Sequence, residues 1–300
     1  MRTAANPELV ASLIRHVDRL AGLIGPRHLG APRAFHAAAD LVERELADAG
    51  YAPTRQTYLV GGQEVANIVA ELPGGKRADE IVVVGAHYDS VWTTPGADDN
   101  ASAVAVLIEV ARMMRQLKPA RTVRFVGFAC EEPPHFHTGD MGSQFCAREC
   151  RTKGEHIHGM LCLEMVGYFS SEPNSQQIPP GIPRVFHPLL PRRGDFLAAV
   201  GNLRSWRLLW QFRRGFKRAV RFPLWSLALP ESIHEIRLSD NSSFWDQGYP
   251  ALMVTDTSFL RNPHYHMATD TPDTLDYERM AAVTLGVAGG ASRAAGLRKL

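Results

Sequence analysis

A buried strand that runs into an acidic loop is the feature that most constrains the fold of this chain. Residues 81–84 are a β-branched run, which predicts a strand buried on both faces. His87 and Asp89 follow, and a turn-rich loop leads to Asp98-Asp99-Asn100. Residues 101–117 then show apolar side chains at helical spacing. A strand, a polar loop and a helix start are typical of the ligand site of an open α/β sheet, beyond the carboxyl end of a strand.

The rest of the chain alternates in the same way, which predicts an α/β fold. The predicted helices are residues 7–24, 31–49, 143–151, a stretch from Asp195 to about Val220, and a helix at the C-terminus. The further predicted strands are residues 54–60, 64–72, 121–130, 160–166 and 250–257. The first two of these strands are joined at Gly61-Gly62, which is a hairpin signal.

Composition and charge exclude several classes of protein. A hydrophobic content of 45% and a charged content of 21% are ordinary for a soluble globular protein. The net charge of +2 gives no global reason to expect nucleic acid or a membrane as partner. No apolar run reaches the length of a membrane span, and the first residues lack a signal-peptide core, so we expect a cytoplasmic protein. The four cysteines form no CxxC motif, which argues against a structural zinc site or a disulfide framework.

Residues 171–238 interrupt the alternation with a proline-rich part and a basic part. Between Arg184 and Arg221 there are ten Lys or Arg residues and one acid, Asp195. A solvated basic face is the simplest interpretation, and a lid or a surface for acidic partners is the alternative. We therefore predict one domain over residues 1–300, with 171–238 as an insert that could act as a lid.

Glu131 and Glu132 stand directly after a predicted apolar strand. Two adjacent acids at such a place are unfavourable unless something compensates their charge. Neighbouring side chains on an extended chain point in opposite directions. One carboxylate can therefore bind a cation while the other acts as a general base toward a water molecule.

Two further groups carry the same chemistry. Glu164 is a lone acid in the apolar segment LCLEMVGY, so a metal ion or an arginine is expected beside it. His264, Tyr265 and His266 lie in a polar loop that also contains Asp270. Paired histidines after a strand suggest metal ligation, although exposed loop histidines are common.

A charge count leads to the hypothesis of two zinc ions. In it, His87, Asp99 and Glu164 hold one ion, while Asp99, Glu132 and His266 hold the other. Three carboxylates and a bridging hydroxide then neutralise two Zn²⁺ ions. Imidazole and carboxylate ligands without cysteine are typical of a hydrolytic zinc site.

Six segments, in order, resemble the signatures of the co-catalytic di-zinc aminopeptidases, whose relatives include glutamate carboxypeptidase and glutaminyl cyclase. The segments are HYD, PGADDNAS, ACEEP, LEMVGY, SDNSSFW and NPHYH with DTPDTLDY. The resemblance covers about residues 17–283. It implies a three-layer α/β/α sandwich with a mostly parallel, mixed central sheet of about eight strands.

The resemblance also implies a role for each matching residue. It implies five metal ligands: His87, Asp99, Glu132, Glu164 and His266. It further implies Glu131 as the general base, Tyr265 as a hydrogen-bond donor to the tetrahedral oxyanion, and Asp89 as the residue that orients His87. A cis peptide is expected between Asp99 and Asn100.

Three departures from the family pattern stand out. Glu164 is found where several members have Asp, Ala103 where Gly is frequent, and Asn241 where His is frequent. The last of these concerns the substrate pocket rather than the metal ligands.

The sequence thus predicts a zinc-dependent exopeptidase, most simply an aminopeptidase acting on peptide or aminoacyl substrates with two Zn²⁺ per chain. A glutaminyl cyclase-like acyltransferase, a carboxypeptidase, a small-amide hydrolase and a non-catalytic binding relative remain as alternatives. Neither nucleic acid nor a membrane span is expected.

Overall fold

The computed structural model describes residues 6–297 and divides into helices and strands much as the sequence predicts. The strands are β1 (Thr54–Val60), β2 (Gln63–Leu72), β3 (Arg77–His87), β4 (Arg121–Phe128), β5 (His156–Glu164), β6 (Leu197–Asn202), β7 (Leu224–Leu229) and β8 (Ala251–Thr255). The helices are α1 (Pro7–Val17), α2 (Pro32–Asp48), α3 (Ala103–Met114), α4 (Gly142–Thr152), α5 (Trp206–Ala219), α6 (Asn241–Asp246) and α7 (Tyr277–Ala294).

The eight strands form one mixed sheet in the order β1-β2-β4-β3-β5-β8-β6-β7. Its centre, β4-β3-β5-β8, is parallel. The hairpin β1-β2 adds antiparallel to β4, and β6 adds antiparallel to β8 and parallel to β7. The central parallel strands therefore end at one common edge, where open α/β sheets bind their ligands.

Helices cover both faces of this sheet, which confirms the predicted three-layer sandwich. Side chains alternate across β3, so that Val82 and Val84 enter one hydrophobic core while Ile81 and Val83 enter the other. The first core contains buried side chains of α1, α2, α3, α5 and α7. The second contains those of α4 and α6.

The prediction of a helix beginning at Asp195 is wrong for its first part. Leu197–Asn202 is the strand β6, and the helix α5 begins only at Trp206. The segment LAAVGN has no helical period, and β8 offers it a free strand edge, so sheet pairing prevails over the helix propensity of its alanines. The prediction also missed β7, an edge strand bounded by Pro223 and Pro230. The second half of residues 171–238 is thus built into the sheet.

None of the helices within residues 6–297 is both long and apolar enough to cross a membrane. Cys130, Cys146, Cys150 and Cys162 are all buried and none of them forms a disulfide.

Candidate metal and substrate site

Three neighbouring parallel strands place polar side chains at the same edge of the sheet. β3 ends at His87, β5 ends at Glu164, and β4 leads into Glu131 and Glu132. Because β3 lies between the other two strands, His87 sits at the centre of the group. All four side chains are buried. The edge of the sheet thus concentrates three carboxylates around one imidazole.

Asp99 joins this group to the loop that carries His266. His87 Nε2 lies 3.4 Å from both Asp99 Oδ1 and Glu164 Oε2. His266 Nε2 lies 3.1 Å from Asp99 Oδ2 and 3.3 Å from Glu132 Oε2. The two oxygens of Asp99 therefore face two different sets of ligand atoms, one on each side. The structure brings together the two triads that the sequence hypothesis named.

The loop before Asp99 has a conformation that the local sequence dictates. Gly96 has a left-handed backbone with φ of 62°, and a Cβ there would lie 2.3 Å from the carbonyl oxygen of Asp99. Only glycine fits such a position without strain. Asp270 receives the backbone N–H groups of Asp98 and Asp99 at 2.9 and 3.1 Å. The Asp99–Asn100 peptide is cis, as the resemblance implied.

Arg27 supports the same loop, a role that no sequence pattern predicts. Its side chain is fully buried and donates to the carbonyl oxygens of Tyr88, Pro95 and Gly96. Burial lowers the pKa of Arg27 to about 10, against the attraction of nearby acids that include Asp89. Its position far upstream of the motifs leaves no local signal, because only the folded chain brings it to the loop.

Asp89 contacts more residues than His87, the one partner that the resemblance implies. Its carboxylate lies 3.4 Å from His87 Nδ1 and also accepts the backbone N–H groups of Glu131 and Glu132, each at 3.1 Å. One side chain thus positions an imidazole from β3 and the two acids that follow β4. Such outer contacts fix the direction of ligand side chains.

Other polar contacts hold Glu164 and Asp98. Ser239 donates its hydroxyl to Glu164 Oε2 at 2.5 Å. Asp98 turns away from the triads and accepts bonds from Asn262 Nδ2 and the backbone of Gly167. Its role is therefore to fasten the loop.

The remaining residues of the histidine loop take different positions. The ring of Tyr265 stacks on that of His266 with centroids 3.8 Å apart. Burial, and then repulsion from Asp99, raises the pKa of Tyr265, so its hydroxyl stays protonated and able to donate. His264 lies outside both triads, and its Nδ1 is 2.9 Å from Thr269 Oγ1.

The charges of this cluster repel one another. Burial raises the pKa of Glu131 well above its usual range. Attraction to His87 opposes this shift, and repulsion from Glu132 and Glu164 adds to it. Burial and then repulsion from Asp99 raise the pKa of Glu132 to about 8. Because the pKa values of Glu131, Glu132 and Glu164 are all raised, nearby positive charge would stabilise these three acids as carboxylates.

The donor atoms fit zinc. The atoms of His87, Asp99 and Glu164 lie within 4.8 Å of one another, and so do those of Asp99, Glu132 and His266. His87 Nε2 and Glu132 Oε1 are buried without a hydrogen-bond partner among the described residues, as metal-facing atoms would be. Imidazole nitrogens and carboxylate oxygens are typical zinc ligands. A third grouping, His87 with Glu131 and Glu132, also meets the distance limit, so proximity alone does not separate the two glutamates.

A cavity of about 200 Å³ opens beside the cluster. It runs along one face of β6, β7 and β8, where Ala198, Val200, Trp225, Leu227 and Met253 form its floor. Further walls come from residues within 176–182, 190–191 and 233–238, which belong to the segment predicted as an insert, and from Phe136 and residues 257–260 outside it. The lining includes acids from the metal cluster and Glu235, but no Lys or Arg among the described residues.

Asn241 contributes to one of these walls indirectly. It stands where histidine is frequent in the resembling family, and it is fully buried. Its Nδ2 donates to the carbonyl oxygen of Ile236, a cavity-lining residue, at 2.9 Å. The departure therefore concerns the shape of the cavity rather than the two triads.

Comparison with known sequences identifies the family. The sequence model of peptidase family M28 matches residues 67–289. Over 292 residues the chain is 35% identical to the uncharacterized protein YfbL of Escherichia coli K12, which covers 94% of this chain and 87% of that protein. It is 30% identical over 228 residues to a probable leucine aminopeptidase 1 of Trichophyton verrucosum, and this match covers 71% of this chain. The chain spans about half the length of that fungal relative, since 54% of it is matched.

Comparison with solved structures shows the fold. A zinc aminopeptidase of Bacillus subtilis superimposes with a TM-score of 0.72 at 15% identity, covering 94% of each chain. A glutaminyl cyclase of Fimbriiglobus ruber gives a TM-score of 0.68 at 20% identity, covering 98% of this chain and 97% of the cyclase. The family match spans all six ordered motifs and the strands β3 to β8. The chain therefore belongs to peptidase family M28 and is a metallopeptidase.

Proposed function

We propose that this chain is a two-zinc aminopeptidase that releases N-terminal residues with large apolar side chains from peptides. The observation that carries the proposal is the combination of an acidic cluster with an apolar cavity whose lining has no Lys or Arg among residues 6–297. A free α-ammonium group is attracted to the acids, and the first side chain enters the cavity.

The two triads divide the zinc ligands. His87, Asp99 and Glu164 would hold one ion, and Asp99, Glu132 and His266 the other. When bound, zinc polarises the scissile carbonyl group and lowers the pKa of water at the site. Because Asp99 belongs to both triads, both sets of ligand atoms would lie beside the same reacting carbonyl.

Glu131 is assigned the proton transfers. Its carboxylate lies in the cluster, with Oε2 3.8 Å from His87 Nε2, and it belongs to neither of the two proposed triads. It would accept a proton from the attacking water and deliver that proton to the leaving amine. Tyr265 would donate its hydroxyl proton in a hydrogen bond to the oxyanion that develops at the carbonyl.

Charge distinguishes the two directions of attack on a peptide. A carboxypeptidase must also bind the substrate's free carboxylate, usually through Arg or Lys. No such residue among those described lines the cavity, whereas Glu131, Glu164 and Glu235 do. An α-ammonium group finds acidic partners here, whereas a terminal carboxylate finds no Lys or Arg among the described residues that line the cavity.

A panel of short peptides tests the proposal. We expect cleavage of Leu-, Met- and Phe-initiated peptides, weaker cleavage of Ala- and Glu-initiated ones, and none of the N-acetylated forms. Release of C-terminal residues would contradict the direction of attack. Conversion of N-terminal glutamine to its cyclic form without peptide hydrolysis would instead indicate a cyclase.

A further inference from the structure

The outward side of α5 concentrates positive charge. Between residues 203 and 221 there are seven Lys or Arg residues and no Asp or Glu. All seven are exposed, and none forms an ion pair with a carboxylate of residues 6–297. They are Arg204, Arg207, Arg213, Arg214, Lys217, Arg218 and Arg221.

This charge is local rather than a property of the whole chain. The chain has 33 basic and 31 acidic residues, so without these seven it would have 26 basic residues against 31 acidic ones. The rest of the molecule is therefore weakly acidic, and the outward side of α5 stands out against it. A partner attracted by this positive charge must itself be anionic.

Large apolar side chains lie among the cations. Leu203, Trp206 and Trp210 are 59%, 55% and 48% exposed. The two tryptophans are four residues apart and so share one side of the helix. The Arg207 guanidinium lies 5.3 Å from the Trp206 ring and that of Arg214 lies 5.1 Å from the Trp210 ring. We call Leu203, the two tryptophans and the seven cations the Trp–Arg face.

Packing of the inward side of α5 fixes the orientation of the helix, so that the Trp–Arg face points to solvent. Leu208, Phe212 and Phe216 are buried in the core. Gly215 meets Gly289 of α7 so closely that a Cβ would lie 2.2 Å from the carbonyl oxygen of Gly289. The helix is thus fixed by packing, and the exposed tryptophans are a permanent feature of the surface.

We propose that the Trp–Arg face docks on the surface of an anionic lipid bilayer. Indole rings favour the headgroup region of a bilayer, and basic side chains are attracted to anionic headgroups. A bilayer therefore covers both the charges and the apolar rings, as it does for amphipathic helices that lie in its interface. Duplex nucleic acid would satisfy the cations but leave the tryptophans in water. A symmetric contact with a second copy would oppose seven cations with seven.

The topology of the sheet leaves the candidate site open in such a complex. Ala198, near the start of β6, pairs with Thr255 at the catalytic edge, whereas Asn202 ends β6 at the opposite edge. The tryptophan end of α5 follows directly and so lies away from the metal cluster. Leu197 and Ala199 pack into the core that contains α5, while Ala198 faces the cavity on the other side of the sheet.

Co-sedimentation of the full chain with lipid vesicles tests this inference. We expect binding to vesicles of equimolar phosphatidylcholine and phosphatidylglycerol, loss of this binding at high salt, and little binding to phosphatidylcholine alone. Two double variants should each weaken partitioning on the order of tenfold or more: R207E with R214E, and W206S with W210S. The matched control, R33E with K76E, changes two exposed cations elsewhere and should leave partitioning unchanged.

The thermal unfolding midpoint of each variant shows that it is folded, and hydrolysis of a short soluble peptide should be unchanged in all of them. Equal binding of the wild type to neutral and anionic vesicles would overturn the inference. Equal losses of vesicle binding in the control and in the variants of the Trp–Arg face would also overturn it. Binding of nucleic acid or self-association through this face, without vesicle binding, would also overturn it.

Discussion

The acidic cluster and the apolar cavity lie side by side, but they are built from different parts of the sheet. The cluster stands on the central parallel strands β3, β4 and β5, where the carboxylates of Asp89 and Asp270 accept backbone N–H groups of the cluster residues and so hold them in place. The cavity stands on β8, β6 and β7, at one side of the sheet, and on loop residues within 176–191, 233–238 and 257–260. This difference suggests that the centre of the sheet determines the reaction and that its edge determines which substrate reacts.

A substitution in the acidic cluster should lower kcat/KM equally for all substrates. We expect the largest effect from a substitution of Asp99. Asp99→Asn keeps the size of the side chain but removes the charge that both triads share. We expect loss of both zinc ions and a fall in kcat/KM of at least roughly 10³-fold for every peptide, because the ions stabilise the reacting carbonyl. Elemental analysis and kinetics check this result, with the exposed Asp48→Asn as control. Retention of two ions with near-normal turnover would contradict it.

Asp89→Asn should give a smaller effect that is again independent of the substrate. The amide cannot serve as acceptor for two backbone N–H groups and approach His87 Nδ1 as the carboxylate does. We expect zinc affinity to fall about 10–100-fold, with activity largely recovered by added zinc. Zinc titration followed by activity measures this. A selective loss of one peptide class would show that Asp89 acts on the substrate instead.

Narrowing the cavity should change the order of preference among substrates. Ala198→Leu places a larger side chain in the floor of the cavity. We expect kcat/KM for Phe- and Leu-initiated peptides to fall roughly tenfold, while Ala-initiated peptides change little, since a few methylene groups decide fit in an apolar pocket. Ala198→Ser, which nearly keeps the volume, is the matched control. An equal fall in kcat/KM for all peptides, or no fall at all, would show that the side chain of the substrate's N-terminal residue binds elsewhere.

The sequence predicted the centre of the molecule better than its edge. Buried strands such as residues 81–84 have a strong local pattern, and the acids after them have no other good explanation in a folded protein. The strand β6, which lies between β8 and the edge strand β7, has no such pattern, because pairing with its neighbours decides its conformation. The prediction therefore extended α5 backward over β6 and missed β7.

The same limit applies to the residues that support the site. The sequence places Asp270 in the histidine loop, but only the structure shows that its carboxylate accepts the backbone N–H groups of Asp98 and Asp99. Arg27 has no signal at all, since the carbonyl groups of Tyr88, Pro95 and Gly96 that it binds lie 61, 68 and 69 residues away in the chain. Contacts of this kind depend on tertiary structure, which no local pattern encodes.

The central claim is that Glu131 acts as the general base and Glu132 as a zinc ligand. Turnover measured together with zinc content tests this claim most directly. Glu131→Gln removes a base but leaves both proposed triads intact. We expect two zinc ions per chain, and a kcat lower by on the order of 10²–10⁴-fold with KM little changed. Glu132→Gln removes a ligand charge, so one ion should bind weakly and added zinc should partly restore activity. Loss of zinc in Glu131→Gln, with both ions retained in Glu132→Gln, would contradict this account.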